Sequence, residues 1–395
     1  MESPAPSGSG QASPSLTESP TIVERSPESP ARPRHESSDE WEVIQQKTRH
    51  RHPSIPQKLA ALFYNLSFGG GIYSTLLALW LCTLLPPLTL LLAAYYAWVW
   101  LGAGMDAAKS GSYPKPLRRW ALWRACAAYF PARLHRTVEL PPGKPYIFCT
   151  HPHGILSCGS WLAFATEALG FSSLFPGIDC RVLTLSINFR SILFREYLLL
   201  HAQRSQPLPA CVPSGLPGVC DVSKHTCLAL LGAGKSIMIA VGGGTESLFA
   251  RPGANQLVLR KRKGFIKVAL RSGASLVPVY VFGENSTFRT ANEQVSGSLL
   301  HRFQRRLTKL TGFTVPLFYG TGLVLPWGFL PFPVPLEVVV GEPLEVERFS
   351  GDEGSAEFQA LVDRLHARYV AALTELFNSY KEKFAKGEAD LELVE

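Results

Sequence analysis

His151, Pro152, His153 and Gly154 stand together directly after the apolar run "YIFCT", in a chain with only 10 histidines among 395 residues. Imidazole is the side chain whose ordinary pKa lets it take and return a proton near neutral pH. Pro152 fixes its own φ and restricts the residue before it, while Gly154 lets the backbone turn sharply or approach a ligand. Three readings fit the stretch: a turn with two hydrogen-bonded histidines, a general base held still, or part of a metal site. Zinc held by His151 and His153 would need further ligands at later strand ends. His201, His225, His301 and His366 do not fall there, so no metal is expected.

Two other stretches carry chemistry. In "VGGGTESL" (241–248), Gly242 and Gly243 permit close backbone approach, and Glu246 follows them. That carboxylate could orient a neighbouring imidazole and stabilise its protonated form, as the acid of a triad does. It could equally be a charge at a helix N-terminus beside a glycine-rich turn. In "LRKRKGFIKVALRSGASLVPVYVFGEN" (259–285), Arg262, Lys263 and Lys267 crowd the entry and exposed face of a helix. They form either a solvated basic surface or a clamp for phosphates. Nucleic acid is not expected, because no stacking aromatics are interleaved with the charges. Glu284, beyond Phe282-Gly283, is a second carboxylate at a strand end. Tyr129-Phe130-Pro131 reads by itself as an aromatic pair packed before a proline.

The elements that must position these groups follow from periodicity. Apolar strands at 146–150, 181–186, 236–242, 275–283 and 336–341 alternate with helical segments such as 223–233 and 263–272. That alternation predicts an α/β fold around a mainly parallel sheet with flanking helices, whose active groups gather at the carboxyl ends of the strands. A last helix is expected over 355–384, with Phe358, Leu361, Leu365, Tyr369, Leu373, Leu376 and Tyr380 facing the core.

Ahead of this domain (111–395) lie two other regions. Residues 1–56, rich in Ser, Pro, Glu and Arg, lack apolar periodicity and are expected to be disordered. Ser3, Ser13, Ser19, Ser26 and Ser29 each precede a proline, a context that suits proline-directed phosphorylation. Residues 57–110 contain an uncharged run, 72–103, interrupted by Pro86-Pro87. Adjacent prolines break a helix, and each half, about 14 residues or roughly 21 Å, is short for a ~30 Å hydrocarbon core. A bent hairpin dipping into the bilayer is expected, with basic flanks keeping both ends on the cytosolic side. The net charge of +8 suits an anionic surface or a phosphorylated substrate. Eight cysteines without CxxC spacing, and no secretory leader, point to reduced thiols.

Taken together, Tyr129-Phe130-Pro131, His151-Pro152-His153-Gly154, "INFR" (187–190), "FREYLL" (194–199), "GGGTESL" (242–248) and "RKGFIKVALRSGASLVPVYVFGEN" (262–285) resemble the type-2 diacylglycerol acyltransferase family. That family also contains monoacylglycerol and wax-alcohol acyltransferases. The resemblance covers roughly residues 58 to 395. It implies a glycerolipid-acyltransferase-like domain behind a membrane hairpin, integral to the endoplasmic reticulum and lipid droplet with both termini cytosolic. It implies acyl-CoA as co-substrate, without a further cofactor, and diacylglycerol or a related neutral-lipid alcohol as acceptor; self-association stays open. His153 becomes the base, with Glu246 beside it and His151 in a lesser catalytic or supporting role. Arg262, Lys263, Lys267, Asn188 and Arg190 become contacts for acyl-CoA. Tyr129, Phe130, Pro131, Pro152, Gly154, Gly242, Gly243 and Glu284 become structural or substrate-lining positions. The chain departs from the family at Gly244, where alanine is usual, at Gly320-Thr321-Gly322, and in an inserted loop over 198–221. Two readings from other classes stand beside this one: a non-catalytic hairpin protein that coats lipid droplets, and a hydrolase that uses metal at His151 and His153.

Overall fold

The computed structural model describes residues 52–100, 118–190, 219–290 and 317–394, with Arg195, Leu198 and Arg306 as single positions. For 69–75 and Arg190 only the backbone is described. Residues 1–51 of the expected disordered tail, with its serines, the distal flank of the hairpin and most of the inserted loop lie outside these residues, and the end of that tail is helical from Ile55.

Helix α1 (Ile55–Leu84) meets α2 (Pro86–Trp100) at Leu85. The proline pair thus ends the first helix, and Pro86 opens the second, where a missing N–H costs nothing. One difference from expectation is length. α1 is a 30-residue helix that starts well before the uncharged run. Gln57 accepts the Ser54 N–H at its start (2.9 Å), and no proline interrupts it before Pro86. Its first turns bury Ala60, Ala61 and Tyr64 against α3 (Ala121–Tyr129), so the hairpin grows out of the domain core. The Arg195 guanidinium stacks on Trp98, 4.8 Å from its ring centre, and ties α2 to the "FREYLL" segment. No described helix is long and apolar enough to cross a membrane.

The chain continues through β1 (Arg133–Arg136), β2 (Tyr146–His151), α4 (Cys158–Ser160) with its π-helical extension Trp161–Ala165, and α5 (Phe171–Leu174). Next come β3 (Cys180–Thr184), a 3-10 turn (Ser186–Arg190), β4 (Val219–Asp221), α6 (Lys224–Gly232) and β5 (Ser236–Ala240). Then follow α7 (Gly243–Glu246), β6 (Asn255–Val258), α8 (Gly264–Ser272), β7 (Ser275–Phe282) and β8 (Arg289–Thr290). The last elements are β9 (Phe318–Tyr319), β10 (Glu337–Val340), α9 (Ala356–Phe384) and β11 (Leu391–Val394).

The main sheet has seven strands in the order β1-β10-β7-β2-β5-β3-β4. Every pair is parallel except β10 with β7. β2 is buried along its whole length, which explains why it reads as a continuous apolar run. Side chains alternate across the sheet. Tyr146, Phe148, Val277, Val279 and Val281 join a core with α1, α3 and α4. Ile147, Cys149, Leu276, Tyr280 and Phe282 join a second core with α6, α8 and α9. The result is a three-layer α/β/α sandwich. The expected strands are present, but β1, β4, β6, β8, β9 and β11 add to them. Val219–Asp221, expected as the end of an inserted loop, forms the edge strand β4 beside β3. Three residues at the end of a Pro-rich stretch carry too little periodicity to reveal a strand.

Candidate active site

β7, β2 and β5 are adjacent and parallel, so their carboxyl ends open on one edge. The His-Pro-His-Gly turn follows β2, the glycine-rich turn follows β5, and Glu284 follows β7. Topology alone therefore brings the three stretches together.

His151 and His153 part company at this edge. His151 is the last residue of β2 and shares the face of Ile147 and Cys149, toward α9. Its ring is fully buried; Nε2 lies 2.9 Å from the Tyr369 hydroxyl, which donates to the Cys149 carbonyl (3.3 Å). Burial lowers its pKa to about 3, so the ring stays neutral. A catalytic role for His151 therefore gives way to a structural one: it sits in the core and packs against the last helix. Nor do the two rings form a His-x-His ligand pair, and no group of three or more metal-ligating side chains occurs among the described residues.

His153 lies past Pro152, where the strand has ended and the alternation is broken. Its ring is half-buried, with Nδ1 3.0 Å from the Gly154 carbonyl oxygen. A carbonyl can only accept, so Nδ1 carries the proton and Nε2 holds the lone pair. Burial lowers the ring's pKa, partly opposed by the Gly154 bond. The backbone is clamped on both sides: Glu246 Oε1 accepts the His153 N–H (2.7 Å), and the His153 carbonyl accepts from the Ser157 N–H (3.1 Å) and hydroxyl (2.9 Å).

Glu246 thus meets His153, but through the main chain. Its second oxygen accepts the Val258 N–H (3.0 Å), so the expected role of orienting the imidazole passes to the Gly154 carbonyl. The reason is room. Glu246 folds back over the turn so closely that a Cβ on Gly242 would lie 1.7 Å from Oε2. Gly243 sits at φ 60°, the left-handed region that favours glycine. Burial pushes the Glu246 carboxyl up to about 7, against the opposing effect of its two N–H bonds and Arg262.

Glu284 performs a parallel task. Its carboxylate accepts the N–H groups of Cys158 (2.7 Å) and Gly159 (2.8 Å), satisfying the start of α4. Burial raises its pKa to about 7 as well. Gly154, at φ 58°, is where Glu284 passes: a Cβ there would meet Glu284 Cγ at 2.6 Å. The two buried carboxylates therefore hold the turn from either side.

Arg262 reaches the glycine-rich turn, donating to the Gly242 carbonyl (3.3 Å) and the Thr245 hydroxyl (3.2 Å). Lys263 pairs with Asp363 of α9 (2.7 Å), and Lys267 contributes to the field at the same carboxylate. Asn188 spends its amide on the Thr184 hydroxyl (2.8 Å), beyond β3, and β5 separates that strand from β2. The structure does not bring it among the three converging loops. The Arg190 side chain lies outside the described residues. Tyr129 donates to the Pro331 carbonyl (2.5 Å), and buried Phe130 accepts the Leu336 N–H (3.1 Å), so Tyr129-Phe130-Pro131 fixes the entry to β1 beside β10. Val258 and Ser157 were missed because backbone contacts leave no pattern in a sequence; Tyr369 was visible only as a core position.

The family model for diacylglycerol acyltransferase matches residues 81–394. Diacylglycerol O-acyltransferase 2 of Danio rerio is 38% identical over 354 residues, covering 88% of this chain and 91% of that protein. Diacylglycerol O-acyltransferase 2A of Umbelopsis ramanniana is 37% identical over 373 residues, covering 89% and 98% respectively. A solved 1-acyl-sn-glycerophosphate acyltransferase from Thermotoga maritima overlays with a TM-score of 0.33 at 11% identity, covering 80% of this chain and 98% of that one. That likeness is too distant to decide anything about the site.

Proposed function

Because the chain belongs to the diacylglycerol acyltransferase family, we propose that it moves a fatty acyl group from acyl-CoA to the free hydroxyl of diacylglycerol, forming triacylglycerol and coenzyme A. His153 Nε2 takes the hydroxyl proton as the oxygen attacks the thioester carbonyl. The tetrahedral intermediate then collapses, the carbon–sulfur bond breaks, and the leaving thiolate takes the proton back from the imidazolium. Backbone N–H groups of the glycine-rich turns meet the developing oxyanion. Arg262, Lys263 and Lys267 receive the coenzyme phosphates. The Lys263–Asp363 ion pair is exposed and screened by solvent, so a phosphate displaces it at little cost. Glu246 acts as a positioning residue. One observation carries this mechanism: a half-buried imidazole, at the meeting point of three strand ends, makes its hydrogen bond through Nδ1, and its Nε2 accepts none from the described residues.

The substrates are lipids, and the apolar surface fits that. Leu76, Leu79, Trp80, Leu90, Leu91 and Trp100 on α1 and α2 are exposed. So are Val324, Leu325, Trp327 and Phe329 on a loop tied to α1 by Lys58 Nζ donating to the Leu323 carbonyl (3.0 Å) and by Asn65 to Phe329. Such a surface favours residence on a lipid surface, and the endoplasmic reticulum and lipid droplet, with both termini in the cytosol, are the location we propose from the family resemblance.

The test is turnover of labelled acyl-CoA by purified membranes offered diacylglycerol, monoacylglycerol and a long-chain alcohol, with products separated by lipid class. Triacylglycerol is the expected product. His153→Ala is expected to lower kcat by about 10²–10⁴-fold while the protein stays membrane-bound. Normal turnover in that variant ends the mechanism, and a preference for another alcohol ends the acceptor assignment.

A further inference from the structure

β6 stands outside the main sheet, and β11 is the one strand it pairs with among the described residues, in parallel register from Leu391↔Asn255 to Val394↔Val258. The contact continues beyond the ladder. Ala389 N–H donates to the Gly253 carbonyl (3.0 Å), and Gln256 Nε2 donates to Glu392 (2.7 Å). Asn255, 5% exposed, bridges both sides: its Nδ2 donates to the Ala389 carbonyl (2.8 Å), and its Oδ1 accepts the Tyr280 hydroxyl (2.8 Å). Tyr280 is the register partner of His151. From the other flank of β6, Val258 N–H donates to Glu246, which holds the His153 N–H.

We propose that β11 and Asn255 are positioning elements of the active site: the last strand clasps β6, and β6 sets the carboxylate that fixes the backbone of the base. The proposal rests on the acyltransferase reading and deepens it. No residue of β11 touches the reacting atoms. The effect runs through two backbone N–H groups and one carboxylate, so it falls on the placement of His153 more than on the binding of acyl-CoA.

The experiment uses the full chain in membranes, with Glu392→Pro to remove an N–H of the ladder and Asn255→Asp to remove the donor while keeping an acceptor for Tyr280. In both variants kcat is expected to fall, by roughly 10²-fold in Glu392→Pro, with KM for acyl-CoA nearly unchanged. Backbone hydrogen exchange at 255–258 and at His153 is expected to quicken. A merely structural role would lower the unfolding temperature without this split between kcat and KM. A control needs no variant. In the unmodified protein, the ladder amides of β11 and β6 are expected to exchange together, because a two-stranded ladder opens as a unit. Unchanged kcat and exchange in Glu392→Pro, or a β11 that exchanges far faster than β6, overturns the clasp. If the unmodified chain transfers no acyl group, the acyltransferase reading itself fails; if it does, and His153→Ala abolishes turnover, only the clasp is at stake.

Discussion

The availability of His153 Nε2 depends on what the other ring nitrogen does: Nδ1 is spent on the neighbouring carbonyl, so the tautomer is set without a carboxylate. Two titrations then bear on rate. Protonating Glu246, whose carboxyl sits at about 7, removes acceptor capacity from the N–H of His153. Protonating the imidazole itself removes the base, and its pKa is lowered by burial. Activity is therefore expected to fall as pH drops through about 7 and to fall further below the ordinary imidazole range. Glu246→Gln should erase the upper inflection and keep the lower one, with kcat reduced by about 10–10²-fold; kcat/KM measured against pH decides it. His151 gives the contrasting case. Its ring donates to buried Tyr369, so His151→Phe should leave that hydroxyl with its Cys149 bond alone and cost about 0.5–1.5 kcal/mol of stability. Denaturation melts beside kcat measure this, and a large loss of kcat at unchanged stability would return His151 to the chemistry. The residues alone did not separate the two histidines; the family resemblance ranked His153 first, without a physical reason. Strand alternation separates them, and that became visible only once β2 was known to end at His151 rather than Thr150.

At the scale of elements, the two buried carboxylates are the caps and struts of the site. Glu284 satisfies the first N–H groups of α4, so Glu284→Ala should destabilise by about 2–4 kcal/mol, read by thermal unfolding. Glu246 and Glu284 have folded pKa values of about 7, raised above the unfolded carboxylate value. Their protonated forms favour the fold. The stability they contribute is complete below pH ~4.5 and is lost as pH rises through 7. His151 works in the opposite sense, because its folded pKa is depressed: its contribution is present above about 6.5 and lost on acidification. Between pH 6.5 and 8 only the carboxylates act, so stability should decline by about 1 kcal/mol for each. Glu284→Ala should halve that decline. The central strands and the long last helix were legible because a continuous apolar run or a helical stripe identifies each. β6 and β11 were not, since neither "NQLV" nor "LELV" outlasts a turn signal and each is a strand only through the other. Glu284 was legible as a carboxylate at a strand end, yet its role at the start of α4 needed the fold.

The whole molecule joins a charged, three-layer domain to a large apolar protrusion. Leu90 is 76% exposed and Val324 91%, values that water does not favour for such side chains. Replacing Leu90 and Leu91 together with serine should shift part of the protein from the membrane to the soluble fraction. Carbonate extraction and flotation measure it, and unchanged retention would move the anchor elsewhere. The α/β class, the strand-end location of the site and the break at Pro86 were all readable beforehand. The reach of α1 back into the core was not, because the sequence between Ile55 and the uncharged run holds charge and polarity enough to look like a connector.

The sheet order has a consequence for how the protein comes to be made. His151 aligns with Tyr280, and Ile147 with Ile237, so the strand bearing the base waits for partners synthesised much later. The greasy helices α1 and α2 leave the ribosome before any strand of the sheet. A nascent chain can therefore be delivered to its lipid while still inert, and gains the capacity for turnover only after β7 has slotted in alongside β2.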